Sequence, residues 1–204
     1  MKKLIAISMF MCSLTVCNSK SKESNWIIVP GQNVGEINQN CSINDLIDIF
    51  GKNNVFECNI GLSEGESIVG VKVFKDSCNE LDILWKDNKF QKIDRIIIRE
   101  KGTLWKTADG ITIGTSISDI IKLNEKDITI SGFEWDYAGT LVSWNNGKFE
   151  NKYAIGKKFA MSFESMSRKV NNYESVIGDK QISSDNDVIK SMNLQVASMA
   201  VIFD

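Results

Sequence analysis

The sequence predicts an α+β body in which a helix followed by antiparallel strands occurs twice in tandem. Three observations carry that expectation: a helix-start motif recurs at an offset of 74 residues, a tryptophan turn recurs at an offset of 59, and strand-like alternation fills the intervals.

The helix-start motif is Cys41-Ser42-Ile43-Asn44-Asp45-Leu46-Ile47, matched by Thr115-Ser116-Ile117-Ser118-Asp119-Ile120-Ile121. In each copy a Ser stands three residues before an Asp. The Ser oxygen accepts from an early helix N–H, and the Asp favours the positive end of the helix dipole. Ile43, Leu46, Ile47 and Phe50 then share one helical face up to Gly51, as do Ile117, Ile120, Ile121 and Leu123 in the second copy.

The tryptophan turn is Trp85-Lys86-Asp87-Asn88-Lys89-Phe90, matched by Trp144-Asn145-Asn146-Gly147-Lys148-Phe149. Asn146-Gly147 is a strong two-residue hairpin signal and Asp87-Asn88 a weaker one, because both central residues must reach positive φ. Each copy is therefore expected to end in a hairpin. The shorter offset leaves the first copy about 15 residues longer between helix and turn, in the region of Cys58 to Cys78.

Strands are expected at 67–74, 81–85, 92–99, 129–135, 140–144, 158–164 and 194–203. The alternation of Phe159, Met161 and Phe163 with Lys158, Ser162 and Glu164 suits a sheet with one wet face. Residues 165–193 are polar and weakly patterned, a loop with room for a short helix. The expected organisation is 29–102 for the first repeat, 103–155 for the second, and 156–204 for C-terminal strands that complete the sheet, with the helices on one sheet face.

This pattern over roughly residues 30 to 150 resembles the β-lactamase-inhibitor-protein-like fold, whose tandem helix-plus-sheet units form a curved sheet. It also resembles the small lipoproteins of the outer-membrane barrel-assembly machine. The likeness rests on repeat pattern and carries no function with it.

The chain begins with an export signature. Lys2 and Lys3 precede the 13 uncharged, mostly apolar residues Leu4 to Val16, the order a secretory signal needs. Thirteen residues are too few to span a hydrocarbon core, which takes about 20 in a helix. The signal ends Leu14-Thr15-Val16-Cys17, which resembles the lipobox of bacterial lipoproteins, with Val16 standing where that family has Gly, Ala or Ser. The resemblance implies a signal peptide over 1–16, lipidation of Cys17 and a lipoprotein anchored in the cell envelope. The alternative is an ordinary signal-peptidase site with Cys17 unmodified. Asn18 to Asn25 has no apolar residue, so 17–28 reads as a polar tether.

Beyond Cys17 lie 187 residues, enough to bury about 70% of the unfolded surface. Without Lys2 and Lys3 the chain holds 22 basic and 26 acidic residues, a net charge of −4 with both signs mixed. That balance argues against nucleic-acid binding, which needs a basic face. Cys41, Cys58 and Cys78 remain, an odd number. A Cys58–Cys78 disulfide is the expected pairing among three possible ones. It would close a loop of about 20 residues and contribute about 3 kcal/mol in the chain-entropy account. Three buried thiols are the alternative.

With no His in the chain, Ser-His-Asp, Cys-His and histidine-zinc sites are excluded. No phosphate-binding Gly-rich loop, dinucleotide fingerprint or Cys-x-x-Cys pair occurs, and no cofactor is expected. Ser19-x-x-Lys22 falls in the tether, where nothing holds a nucleophile against a base. Asp185-Asn186-Asp187 lacks the rest of a calcium loop and reads as a turn or helix start. Glu134 and Asp136, two apart in an expected strand, would share a face and could form an acid–base pair for hydrolysis. Trp135, Asp136 and Tyr137, with Trp85 and Trp144, form the candidate binding set, since Trp and Tyr give large contact area at low entropy cost. Core packing of those rings is the competing expectation. The sequence thus favours a non-enzymatic envelope binding or inhibitor-type module with an envelope protein as partner. A structural outer-membrane assembly factor and a carboxylate-based hydrolase are its rivals.

Overall fold

The computed structural model describes residues 25–62, 65–167 and 169–204. The expected signal peptide, the lipidation site Cys17 and the tether through Ser24 lie outside the described residues. In chain order the strands are β1 (Ile27–Val29), β2 (Asn33–Val34) and β3 (Ile37–Asn38), followed by helix α1 (Ile43–Phe50). Strands β4 (Val55–Gly61), β5 (Ser67–Val73), β6 (Leu81–Trp85), β7 (Ile93–Ile98) and β8 (Lys106–Thr107) lead to helix α2 (Ile117–Asn124). The remainder holds β9 (Thr129–Ser131), β10 (Leu141–Ser143), β11 (Phe159–Ser165), β12 (Gln181–Ser183), helix α3 (Asp187–Ser191) and β13 (Leu194–Ile202).

Both long helices begin where the Ser-x-x-Asp motif places them. Ser42 Oγ accepts from Asp45 N–H at 3.3 Å, and Asp45 accepts in return from Ser42 N–H at 2.7 Å. Ser116 Oγ accepts from Asp119 N–H at 3.1 Å. Hydrogen bonds from Ser42 hold the Asp45 carboxyl below its ordinary range, so the cap is charged at neutral pH. Gly51 ends α1 at φ 85°, and Glu125 ends α2 in the left-handed region at φ 62°. In α3 the cap is Asn186, whose Oδ1 accepts from Val188 and Ile189 N–H, so Asp185-Asn186-Asp187 is a helix start.

The main sheet has six antiparallel strands in the order β11-β13-β7-β6-β5-β4. Strands β10-β9-β12 form a second antiparallel sheet. A bridge between Thr140 and Ser162, with Phe163 N–H donating to Gly139 O at 2.9 Å, joins the second sheet to β11. The molecule is α+β with predominantly antiparallel sheet. Strand β13 sits between β11 and β7, one strand in from the sheet edge.

Strand alternation sets the core. Phe159, Met161 and Phe163 of β11 are buried, as are Val196, Met199 and Val201 of β13, and Ile96 and Ile98 of β7. The register aligns Met161 with Met199 and Val201 with Ile96, so these side chains share one face across three strands. One apolar cluster runs from Ile28 to Phe203.

Each helix entry is tied to a strand, α1 to the first residue of β7 and α2 to the third residue of β13. Gln39 O, ahead of α1, accepts from Ile93 N–H at 2.9 Å, and Thr115 O, ahead of α2, accepts from Val196 N–H at 2.9 Å. A further correspondence precedes the helices. Strands β1 and β8 pair in parallel, Ile27 with Lys106 and Ile28 with Thr107, a spacing of 79. Gly31 and Gly110, and Gly35 and Gly114, share that spacing and all have positive φ.

Several expectations are corrected. Strand β4 was not anticipated: its burial pattern is irregular, with Phe56 and Glu57 exposed, so no alternation marks it. The first helix-to-turn interval is longer because it holds three strands, β4, β5 and β6, of seven, seven and five residues, where the second holds two of three residues each, β9 and β10. The β6–β7 connection is a hairpin, but Asp87 and Asn88 do not take positive φ. Instead the Asp87 carboxylate accepts from Lys89, Gln91 and Lys92 N–H at 2.8, 3.3 and 3.0 Å, shaping a longer loop. After Trp144 no hairpin forms. Asn145 and Asn146 take φ 52° and 55°, and the chain then turns away without a paired strand until Phe159.

The expected Cys58–Cys78 disulfide is absent, and Cys41, Cys58 and Cys78 are free thiols. Cys58 faces Gly70, three residues along β5 from Val73, which at strand rise is roughly 10 Å from the strand end. Cys78 is exposed in the turn beyond that end. A disulfide needs Cα atoms within about 7 Å. Cys41 is buried, and burial pushes its thiol pKa up.

Candidate binding loop

The segment between β9 and β10 presents the Trp135-Asp136-Tyr137 set. It is a loop and not the strand expected through residue 135, because β9 stops at Ser131 and Glu134 takes φ 62°. Two glycines permit its close approaches. A Cβ on Gly132 would lie 2.3 Å from Gly178 O, and one on Gly139, at φ 62°, would lie 2.4 Å from Phe163 O.

The loop is closed by hydrogen bonds at both ends. Ser131 Oγ donates to Tyr137 O and accepts from Thr140 N–H at 2.8 Å. Phe133 N–H donates to Val176 O at 2.9 Å, and Gly178 N–H donates to Phe133 O at 2.9 Å. Trp135 is half-buried and its indole N–H donates to Gly132 O at 2.9 Å. Its ring meets Tyr137 edge-on, with centroids 5.5 Å apart. Tyr137 is 62% exposed and Asp136 is exposed beside it. The result is an aromatic projection whose inner ring is held and whose outer ring is offered to solvent.

Glu134 points the other way. Its carboxylate accepts from Tyr173 OH at 2.8 Å, and burial together with that bond pushes the phenol up to about 12. Glu134 lines a cleft of about 400 Å³ with Ser165, Ser167, Lys169, Val170, Asn171 and Tyr173. Asp136 is not among the lining residues, so the two carboxylates do not share a face as the strand reading required. Among the described residues no group of three or more His, Cys, Asp or Glu is arranged to hold a metal ion.

Trp85 and Trp144 do not belong to this surface. Trp85 is 8% and Trp144 0% exposed, and each packs on the Phe five residues on, Phe90 at 5.5 Å and Phe149 at 5.3 Å between centroids. Both belong to the main apolar cluster, Trp85 from the end of β6 and Trp144 from the residue after β10. Sequence reasoning also missed a set of exposed apolar side chains at the far end of the main sheet. Phe56, Leu62, Ile68 and Val69 on the β4–β5 hairpin are each more than a third exposed. No helix among the described residues is long and apolar enough to cross a membrane.

No protein-family model, curated protein or solved structure matches the chain.

Proposed function

We propose that this chain is a non-enzymatic binding module of the cell envelope, tethered through a lipidated Cys17, that engages a protein partner with the loop bearing Trp135, Asp136 and Tyr137. The observation that carries the reading is Tyr137, 62% exposed and braced edge-on by a half-buried Trp135 within an interlocked loop. A large ring held in place before contact loses little freedom on binding, the condition for an interface anchor. The basic and apolar start of the chain and the polar stretch after Cys17 support the envelope address.

The reading extends to the fold. The two helix-led halves descend from one unit, in the manner of the β-lactamase-inhibitor-protein-like fold, with the first half supplying β4 to β7 and the second β9, β10, β11 and β13. The matching helix caps, the paired Gln39–Ile93 and Thr115–Val196 ties, and the 79-residue spacing of β1 and β8 support it.

The experiment is site-specific photo-crosslinking in envelope preparations, with the reactive group at position 137 and, as control, at the exposed Leu104. A discrete adduct from position 137 alone, lost on Asp136→Lys, is the expected result. Equal adducts from both positions, or none from 137, would remove the loop from the interface. For the anchor, Cys17→Ala is expected to abolish fatty-acid labelling and release the chain from membranes. A Cys17→Ala chain that stays membrane-bound would refute lipidation as the tether.

A further inference from the structure

A cavity of about 350 Å³ opens between the N-terminal strand and α1, at the point where the chain enters the described body. Its aromatic walls are Trp26, Phe50, Phe74 and Trp105, and its carboxylates are Glu36 and Asp48. The four rings come from four separate segments: ahead of β1, the end of α1, the turn after β5, and the approach to β8.

The rings meet at steep angles. Trp26 and Trp105 are 4.6 Å apart at 66°, Phe50 and Phe74 5.2 Å at 75°, and Trp26 and Phe74 6.1 Å at 42°. No pair among these is parallel, so they form the converging walls of a box and not the slot that a planar guanidinium needs for stacking. Trp105 is the floor, 1% exposed, with its indole N–H donating to Asn79 O at 3.0 Å. Gly35 lets the backbone cross that ring, since a Cβ there would come within 3.0 Å of it.

Phe74 holds its place at a conformational cost. Its φ is 55°, a region bulky residues rarely adopt. The surroundings hold it there: its N–H donates to Asn54 O at 2.9 Å, and its carbonyl accepts from Ser77 N–H and Oγ at 3.1 and 2.7 Å. Backbone held in this region is found at active sites and ligand clamps, where the surroundings fix it. Asp48 is exposed on α1 and makes no ion pair among the described residues. By contrast, the cleft around Lys72, Glu80, Asp82 and Arg99 has its charges bonded to one another, Lys72 to Glu80 and Asp82, and Arg99 to Asp82.

We propose that the Trp26–Phe50–Phe74–Trp105 cavity binds a compact organic cation of the alkyl- or quaternary-ammonium class. The aromatic quadrupoles attract the positive head, the apolar walls cover its alkyl groups, and Asp48 supplies an opposing charge at the rim. The site is distinct from the 132–140 loop, and its test does not depend on that loop's role.

The test titrates residues 18–204 with choline and, separately, with 3,3-dimethylbutan-1-ol, which has nearly the same shape and no charge. Tryptophan fluorescence and the indole N–H resonances of Trp26 and Trp105 report occupancy. The expected result is saturable binding of choline, at least about tenfold tighter than the neutral alcohol. Trp26→Ala is expected to weaken choline binding about tenfold or more, and Asp48→Asn, on an exposed helix face that leaves the fold intact, by severalfold. The chain carries two ammonium groups of its own just before Asn25, so the titration is repeated on Lys20→Ser/Lys22→Ser. Binding that appears or tightens in this variant supports the cation site. Equal affinity for choline and the neutral alcohol, unchanged binding in Asp48→Asn and Trp26→Ala, or no saturation with either chain overturns the proposal.

Discussion

The two tryptophan turns share Trp, Lys and Phe at the same three of six positions and reach different solutions. In the second, Trp144 is fully buried and its indole N–H donates to Tyr153 O at 2.9 Å. The turn is built on Asn124, itself 0% exposed, whose amide donates to Trp144 O and Lys126 O at 2.9 and 3.0 Å and accepts from Phe149 N–H at 3.2 Å. In the first, Trp85 has a buried indole N–H with no partner among the described residues, and the turn is built on the Asp87 carboxylate. The difference follows from solvent. A carboxylate can organise three N–H groups where water still reaches it, whereas in a dry interior a neutral amide does so without desolvating a charge.

That contrast orders a set of measurable effects. The largest is expected for Asn124→Leu, which strands Trp144 O and Phe149 N–H in the core and should lower unfolding free energy by about 3 kcal/mol in denaturant melts. Trp144→Phe, which leaves Tyr153 O unpaired as well as removing volume, should cost about 2 kcal/mol. If Asn124→Leu proves as mild as a surface change, the buried amide is not what shapes the second turn.

Smaller effects belong to the first turn. Asp87→Ala is expected to cost about 1 kcal/mol, since its freed N–H groups can turn to water. Trp85→Phe removes an indole N–H that has no partner, so it should be about 1 kcal/mol milder than Trp144→Phe. Equal losses for the two Trp→Phe changes would erase the distinction between the turns.

The smallest effect is a pH dependence at Asp109, which bonds Lys152 and Tyr153 just beyond the second turn. Burial opposes the Asp109 carboxylate, but Lys152 and Tyr153 outweigh it and hold its pKa below the ordinary value. A depressed folded-state pKa contributes stability that is present above the unfolded value of about 3.9 and is lost as pH falls through the folded one. Acid melts of Asp109→Asn should therefore show a shallower fall below about pH 4 than the parent chain.

Much of the secondary structure was legible because its causes are local. Ser42 and Ser116 bond three residues ahead, so both helix starts stand in the sequence itself. The alternation of Phe159, Met161 and Phe163 marks β11, and Leu81 to Trp85 is β6 to the residue. What escaped lacks a local signature. Strands β1, β2, β3, β8 and β12 have two or three residues each, too few to show a period, and exist through their partners. The loop at 132–140 was found through its aromatic residues but misread as strand, because Gly178 and Phe163, which shape it, lie far along the chain.

The sequence by itself determined the helix caps, most long strands and the absence of histidine chemistry, all of which depend on residue type and on neighbours a few positions away. Only the tertiary structure decided which tryptophans face solvent, that Cys58 and Cys78 stay apart, and that Trp26, Phe50, Phe74 and Trp105 line one cavity. Burial and proximity are properties of segments brought together across tens of residues. A tryptophan's own neighbours in sequence do not say which side of a sheet will be covered.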